Sequence, residues 1–122
     1  MSGPSLEIQL EGGDGPYPPG DWVRGRVAVL GGAKSRALYV SLHFRERSVD
    51  YSSTPRSVEG PALNEGDLAS GTSFPFAIQL PSDALPGVES AHGSLHWEVE
   101  AKSDERGFDT RVQRRFEVAA RG

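Results

Sequence analysis

Apolar residues recur at every second position in stretch after stretch of this chain, and a segment with that period can bury one face of a β-strand and little else. Leu6, Ile8 and Leu10 alternate with Glu7, Gln9 and Glu11 before a Gly- and Pro-rich cluster from Gly12 to Gly20. Leu38, Val40, Leu42 and Phe44 alternate with Tyr39, Ser41, His43 and Arg45. Phe74, Phe76, Ile78 and Leu80 form another such set, and so do Leu95, Trp97, Val99 and Ala101 against His96, Glu98, Glu100 and Lys102. From Asp21 to Leu30, Val23, Gly25, Val27 and Val29 share one face, with Trp22, Arg24 and Arg26 on the other. Gly25 weakens that strand unless another backbone or a large ring packs against it. From Thr110 to Val118 the inward set is Val112, Phe116 and Val118. Arg114 falls in phase with them, so it has to lie beyond the core's edge or pair with an acid.

The punctuation agrees with the period. Gly occurs 15 times and Pro 9 times in 122 residues, and both are poor inside helices and frequent in turns. Pro75 predicts an edge position or a strand start, Asp104 to Gly107 a hairpin turn, and Ser82 to Ala91 a loop with at most one helical turn at Ser82 to Leu85. Glu46 to Ser73 is the least regular part, with Val49, Tyr51, Val58, Leu63 and Leu68 scattered among polar residues; one or two short strands are expected there. Seven or eight short strands without a long amphipathic run predict an all-β, immunoglobulin-like antiparallel β-sandwich, one domain over residues 1–122.

Several function classes have no support. With Cys 0 there is no disulfide, thiolate metal site or cysteine nucleophile. A formal net charge of −4 and a pI near 5.3 argue against broad electrostatic binding of nucleic acid. No apolar run approaches the ~18 residues of a membrane span and no basic-then-apolar leader is present, so a cytoplasmic protein is expected. His92 and His96 have the i, i+4 spacing of a helical metal pair, but on a strand four residues span about 13 Å, too far for one ion. They are expected to be ordinary surface histidines, with His43 able to approach His96 only if their strands are neighbours. Asp14, Asp21, Glu65 and Asp67 sit beside Gly or Pro without the spacing of a calcium loop and are expected to form turns. Gly12, Gly13 and Gly15 precede a strand rather than a helix, which removes the context of a phosphate-binding loop. No G-x-S-x-G elbow and no recognisable His–acid pairing is present. No enzyme activity, metal or other cofactor is therefore expected.

Two surfaces remain as candidates for partner binding. Arg111, Arg114, Arg115 and Arg121 form a local basic cluster interleaved with Phe108 and Phe116, suited to an acidic partner or a phosphate, though exposed arginines on a strand are more often a solvated face. The outer strands of a sandwich leave backbone N–H and C=O groups unpaired; Leu6 to Leu10, centred on Ile8, and Val49 to Val58, which contains Tyr51, are the candidate docking edges. Trp22 and Trp97 are both expected as core anchors rather than exposed stacking platforms, Trp97 because it is in phase with Leu95 and Val99.

Three segments together resemble the N-terminal domain of arrestins and of the arrestin-like sporulation-control and retromer-subunit proteins. Tyr17, Pro18, Pro19, Gly20, Asp21, Val23, Gly25 and Val27 resemble the family's Y-x-P-G-D-x-V-x-G-x-V segment. Phe74, Phe76, Leu80 and Pro81, followed by Leu85 and Pro86, resemble F-x-F-x-(I/L)-x-L-P and its later proline. Gly93, Leu95, Trp97, Val99, Ala101 and Asp109, then Phe116 and Val118, resemble G-x-(I/L)-x-(Y/W)-x-V-x-A and the closing F-x-V. The resemblance implies a sandwich of the arrestin N-domain type acting as a non-enzymatic adaptor that docks on other proteins. It does not carry over receptor-phosphate sensing, which in the two-domain arrestins uses charges in a polar core and an N-terminal lysine pair, whereas the lysines here are Lys34 and Lys102.

The expected function is accordingly a cytosolic adaptor or scaffold that binds other proteins through sandwich edges or loops, with self-association through an exposed edge as one form of it. The alternative is a small-ligand or carbohydrate-binding sandwich that uses Tyr17, Trp22, Tyr39 or Tyr51 as an exposed aromatic surface.

Overall fold

The computed structural model describes residues 3–120, so Arg121 of the basic cluster lies outside the described residues. The elements in chain order are β1 (Ser5–Leu10), β2 (Trp22–Gly31), β3 (Ala37–Ser48), β4 (Tyr51–Glu65), β5 (Ser73–Gln79), β6 (Val88–Ser90), β7 (Gly93–Glu105) and β8 (Phe108–Phe116). They form a three-stranded sheet in the order β1-β2-β5 and a five-stranded sheet in the order β4-β3-β7, with β6 and β8 both against the far side of β7. β6 pairs with β7 over Gly93 to Leu95, and β8 takes over from Trp97 to Glu105. Every pairing between these strands is antiparallel.

The predicted inward sets meet between the sheets. Leu6, Ile8, Val23, Val27, Phe76 and Ile78 from one sheet and Leu38, Val40, Leu42, Phe44, Trp97 and Val99 from the other make one buried cluster. Trp97 is its centre: the ring stacks on Phe44 at 5.0 Å, lies 6.3 Å from Phe116, and its indole N–H donates to the Leu85 carbonyl at 2.8 Å. Gly25 meets both of the conditions that excuse a strand glycine. A Cβ there would fall on the Gln9 carbonyl of β1 and lie 3.0 Å from Cζ of Phe76.

Arg114 does both things its phase demanded. It leaves the core at the sandwich edge and donates to the Ile8 carbonyl of β1 at 3.1 Å and to Oδ1 of Asp14 at 3.3 Å. Beside it the loop after β1 is laced to the chain end: Tyr17 N–H donates to the Glu117 carbonyl at 2.8 Å and Ala119 N–H to the Tyr17 carbonyl at 2.9 Å.

The irregular part of the sequence departs from expectation. Where one or two short strands were expected between Glu46 and Ser73, a single strand of 15 residues, β4, contains both Pro55 and Pro61. It is tolerated because β4 bonds to β3 along one side only, so a missing N–H on the other side breaks no ladder, and register shifts near Tyr39 and Phe44 absorb the mismatch. Ser82 to Leu85 forms no helical turn but a tight turn closed by Ala84 N–H on the Pro81 carbonyl at 3.1 Å. The same predicted loop also holds the three residues of β6. Of the two tryptophans only Trp97 is a core anchor; Trp22 is 44% exposed, with the Arg24 guanidinium 5.5 Å from its ring.

Trp97→Ala should cost about 3 to 5 kcal/mol, as truncations of buried aromatics do. Denaturant unfolding followed by circular dichroism measures it, and a loss below about 1 kcal/mol would contradict this packing.

Candidate functional site: the outer face of the five-stranded sheet

The other half of the alternation builds a polar face. Register places Tyr39, Lys102 and Arg111 in one row across β3, β7 and β8, Ser41, Glu100 and Gln113 in the next, and His43, Glu98 and Arg115 in a third; Arg45 and His96 pair beyond them. These residues face away from the core, yet Glu98 is only 3% exposed, and Glu100 and His96 are 8% exposed. Long arginine side chains lie over them.

Buried carboxylates persist only where cations and donors satisfy them. Arg45 donates through Nε to Glu98 and through Nη2 to Glu100 at 3.4 Å, and its Nη1 reaches Oγ1 of Thr54 on β4 at 2.9 Å. Glu100 also faces Nε2 of His43 at 3.0 Å and accepts from Gln113 at 3.0 Å, while Nδ1 of His43 meets Ser57 at 2.8 Å. Arg115 donates to Nδ1 of His96 at 2.9 Å. A guanidinium only donates, so Nδ1 is an acceptor and His96 carries its proton on Nε2, 3.4 Å from Glu98. Burial pushes the His96 pKa down and the Arg115 charge adds to this, against the opposing pull of Glu98.

Three open spaces adjoin the network. Grooves of about 500 Å³ and 350 Å³ share His43, Glu100 and Arg111 in their walls. A crevice of about 710 Å³ opens where the segment before β6 and the end of β8 diverge, between Val88 and Phe116.

The residues singled out from sequence do not form one site. Arg111 and Arg115 stand on the outer face, each half exposed, whereas Arg114, between them in sequence, turns to β1. The Ile8 side chain is buried in the core and its carbonyl is taken by Arg114, so the backbone of β1 is partly capped. Tyr51 is exposed at the start of β4, its hydroxyl donating to Glu46 at 2.6 Å. His92 is exposed but His96 is not, which corrects the expectation of two surface histidines; the cause is the cover supplied by β8. His43 and His96 do lie on neighbouring strands, each held to a different acid. The aromatic surface is not a shared one either: Tyr17 is buried, Trp22 belongs to β2, and Tyr39 and Tyr51 sit at opposite ends of the β3–β4 pair. Sequence reasoning passed over Arg45, Glu98 and Glu100. Their one signal was a run of ionisable residues at successive outward positions of two strands.

The sequence profile of the arrestin (or S-antigen) N-terminal domain matches residues 32–121. The chain belongs to that family. The matched stretch begins after β2, and the three-dimensional likeness extends over the remainder. The sporulation control protein Spo0M from Bacillus subtilis superposes with a TM-score of 0.73 at 24% identity, over 99% of this chain and 51% of that one. This chain thus spans about half the length of that protein. No curated protein sequence matches the chain. Among the described residues no helix is long and apolar enough to cross a membrane.

Arg45→Ala should destabilise the domain by about 3 to 5 kcal/mol, because it strands the Glu98 carboxylate in the interior; denaturant melts at neutral pH measure it. His96 should also leave a pH signature. Its folded pKa lies below the ordinary 6.5, so the unfolded chain takes up the proton first and stability falls as pH drops through 6.5 toward the lowered value. His96→Asn should flatten that part of the stability–pH curve, and an unchanged slope would contradict the burial.

Proposed function

We propose that residues 1–122 act as one non-enzymatic, cytosolic adaptor module that binds an extended segment of another protein along the free edge of β4, from Tyr51 to Val58. The observation that carries this reading is that among the described residues the β4 backbone is laddered to β3 alone, with Tyr51 and the neighbouring Val49 exposed at its start, while the Arg56 side chain reaches Asp83 at 2.8 Å. Unpaired N–H and C=O groups along an edge give affinity, and side chains flanking it give selectivity. The two edges of the three-stranded sheet offer less. On β1 the Ile8 carbonyl is occupied by Arg114, and β5 carries Pro75 in mid-strand, which defends an edge against a further strand. Membership of the arrestin N-terminal-domain family supports a regulatory role without chemistry of its own. Arg111 and Arg115 lie on the same sheet and are available to an acidic flank of the partner.

Site-specific photo-crosslinking in the source cells tests this. A benzoyl-phenylalanine placed at Tyr51 or Arg56 should give a discrete adduct, and one at Arg24, on the other sheet, should not. An adduct of twice the chain's mass identifies the partner as a second copy. Adducts from Arg24 with none from β4 would overturn the edge assignment.

A further inference from the structure

β4 runs past Arg45 out of step. Phe44 pairs with Arg56 and Glu46 with Ser53, so Arg45 alone stands opposite both Thr54 and Pro55, the two-against-one count of a β-bulge. Both bulged residues are exposed. A bulge on a strand bonded along one side pushes its backbone out of the ladder, where an enzyme that reads extended chain can reach it. Thr54–Pro55 is also the only Ser-Pro or Thr-Pro dipeptide in the chain, and Arg56 follows it.

The surroundings of the Thr54 hydroxyl suit an anion. Oγ1 already accepts from the Arg45 guanidinium at 2.9 Å. It opens on the groove of about 500 Å³ whose wall holds Arg45, Arg47, Arg111 and His43 together with one carboxylate, Glu100. Arg45 is committed to Glu98 and Glu100, and Arg111 leans on Glu100 at 3.8 Å and Asp109 at 3.4 Å. Arg47 is exposed and has no carboxylate partner among the described residues. By register it stands beside Ser52, on the face that Arg45 and Thr54 share.

We propose that Thr54 is a phosphorylation site, modified by a separate proline-directed protein kinase, and that Arg47 and Arg45 hold the phosphate it receives. The γ-phosphoryl group of a nucleoside triphosphate forms a bond to Oγ1 as its bond to the β–γ bridging oxygen breaks. The hydroxyl proton goes to the kinase's base and the nucleoside diphosphate leaves. The product adds about 1.5 to 2 negative charges and three strong acceptors, matched to guanidinium forks that bind such oxygens in pairs. Ser52, Ser53 and Ser57 lack the following proline, so the same kinase class passes them over. The site stands whether or not β4 docks a partner.

The whole chain is incubated with a proline-directed Ser/Thr kinase and ATP, with a synthetic peptide of residues 48–60 as the substrate control, and modification is located by peptide mass spectrometry. One phosphoryl group at Thr54 is expected, retained in Thr54→Ser and lost in Thr54→Ala and Pro55→Ala. Phosphorus NMR should then show the phosphate's second pKa lower in the folded phosphoprotein than in the same protein in denaturant, with much of that shift lost in Arg47→Gln. The proposal is overturned if the peptide is modified and the folded chain is not, or if the phosphate titrates alike folded and unfolded.

Discussion

The pairing of β3 with β7, unbroken from Ala37 against Asp104 to Ser48 against Gly93, supports both faces of the five-stranded sheet at once. On the inner face it sets Leu42 against Val99 and Phe44 against Trp97, the centre of the buried cluster. On the outer face the same register brings Arg45 within reach of Glu98 and Glu100. A slip of one residue would send Leu38 to Phe44 outward and bury Tyr39 to Arg45. The apolar core and the charged network therefore specify the same alignment, and each would be lost with the other.

Around that pair the molecule closes unevenly. On one side the strap of Arg114 to Ile8 and Asp14, with the lacing of the loop after β1 to Glu117 and Ala119, draws β8 toward β1. On the other side β4 meets the second sheet at Gly60, where a Cβ would lie 2.8 Å from Ile78 Cδ1. Its earlier half, from Tyr51 to Val58, runs out to the hairpin tip, held by Val58 against the core and by Arg56 on Asp83 at 2.8 Å. Hydroxyl side chains, a proline and a bulge are concentrated there, opposite Arg47, which has no carboxylate partner among the described residues. The proposed docking edge and the proposed modification site share one short stretch of backbone, because it is where the sheet's hydrogen bonding ends while side-chain charge does not.

Arginine carries much of the polar architecture. Arg45 joins β3 to β7 and β4, Arg115 joins β8 to His96 of β7 and Glu89 of β6, and Arg114 joins β8 to β1. A planar guanidinium can donate to several acceptors at once over buried ground, which a lysine ammonium does less well. Consecutive arginines on one strand separate to opposite faces, so Arg114 and Arg115 perform unrelated tasks. A cluster in sequence is for this reason not a cluster in space.

The strands β1, β2, β3, β5, β7 and β8, their inward faces, the burial of Trp97, the reason for Gly25 and the edge position of Pro75 were legible from the residues, because a period of two and the placing of Gly and Pro are local properties. Motif order pointed to the arrestin family as well. Other features were decided only when the strands met. β4 forms as one long strand despite two prolines because its partner lies on a single side. His96, Glu98 and Glu100 face outward and are nevertheless buried, since what covers them comes from β3 and β8. Ile8 has its carbonyl capped from a residue more than a hundred positions away. Each of these depends on which strands become neighbours, and neighbour choice comes from the summed packing of both sheets, which no single segment carries.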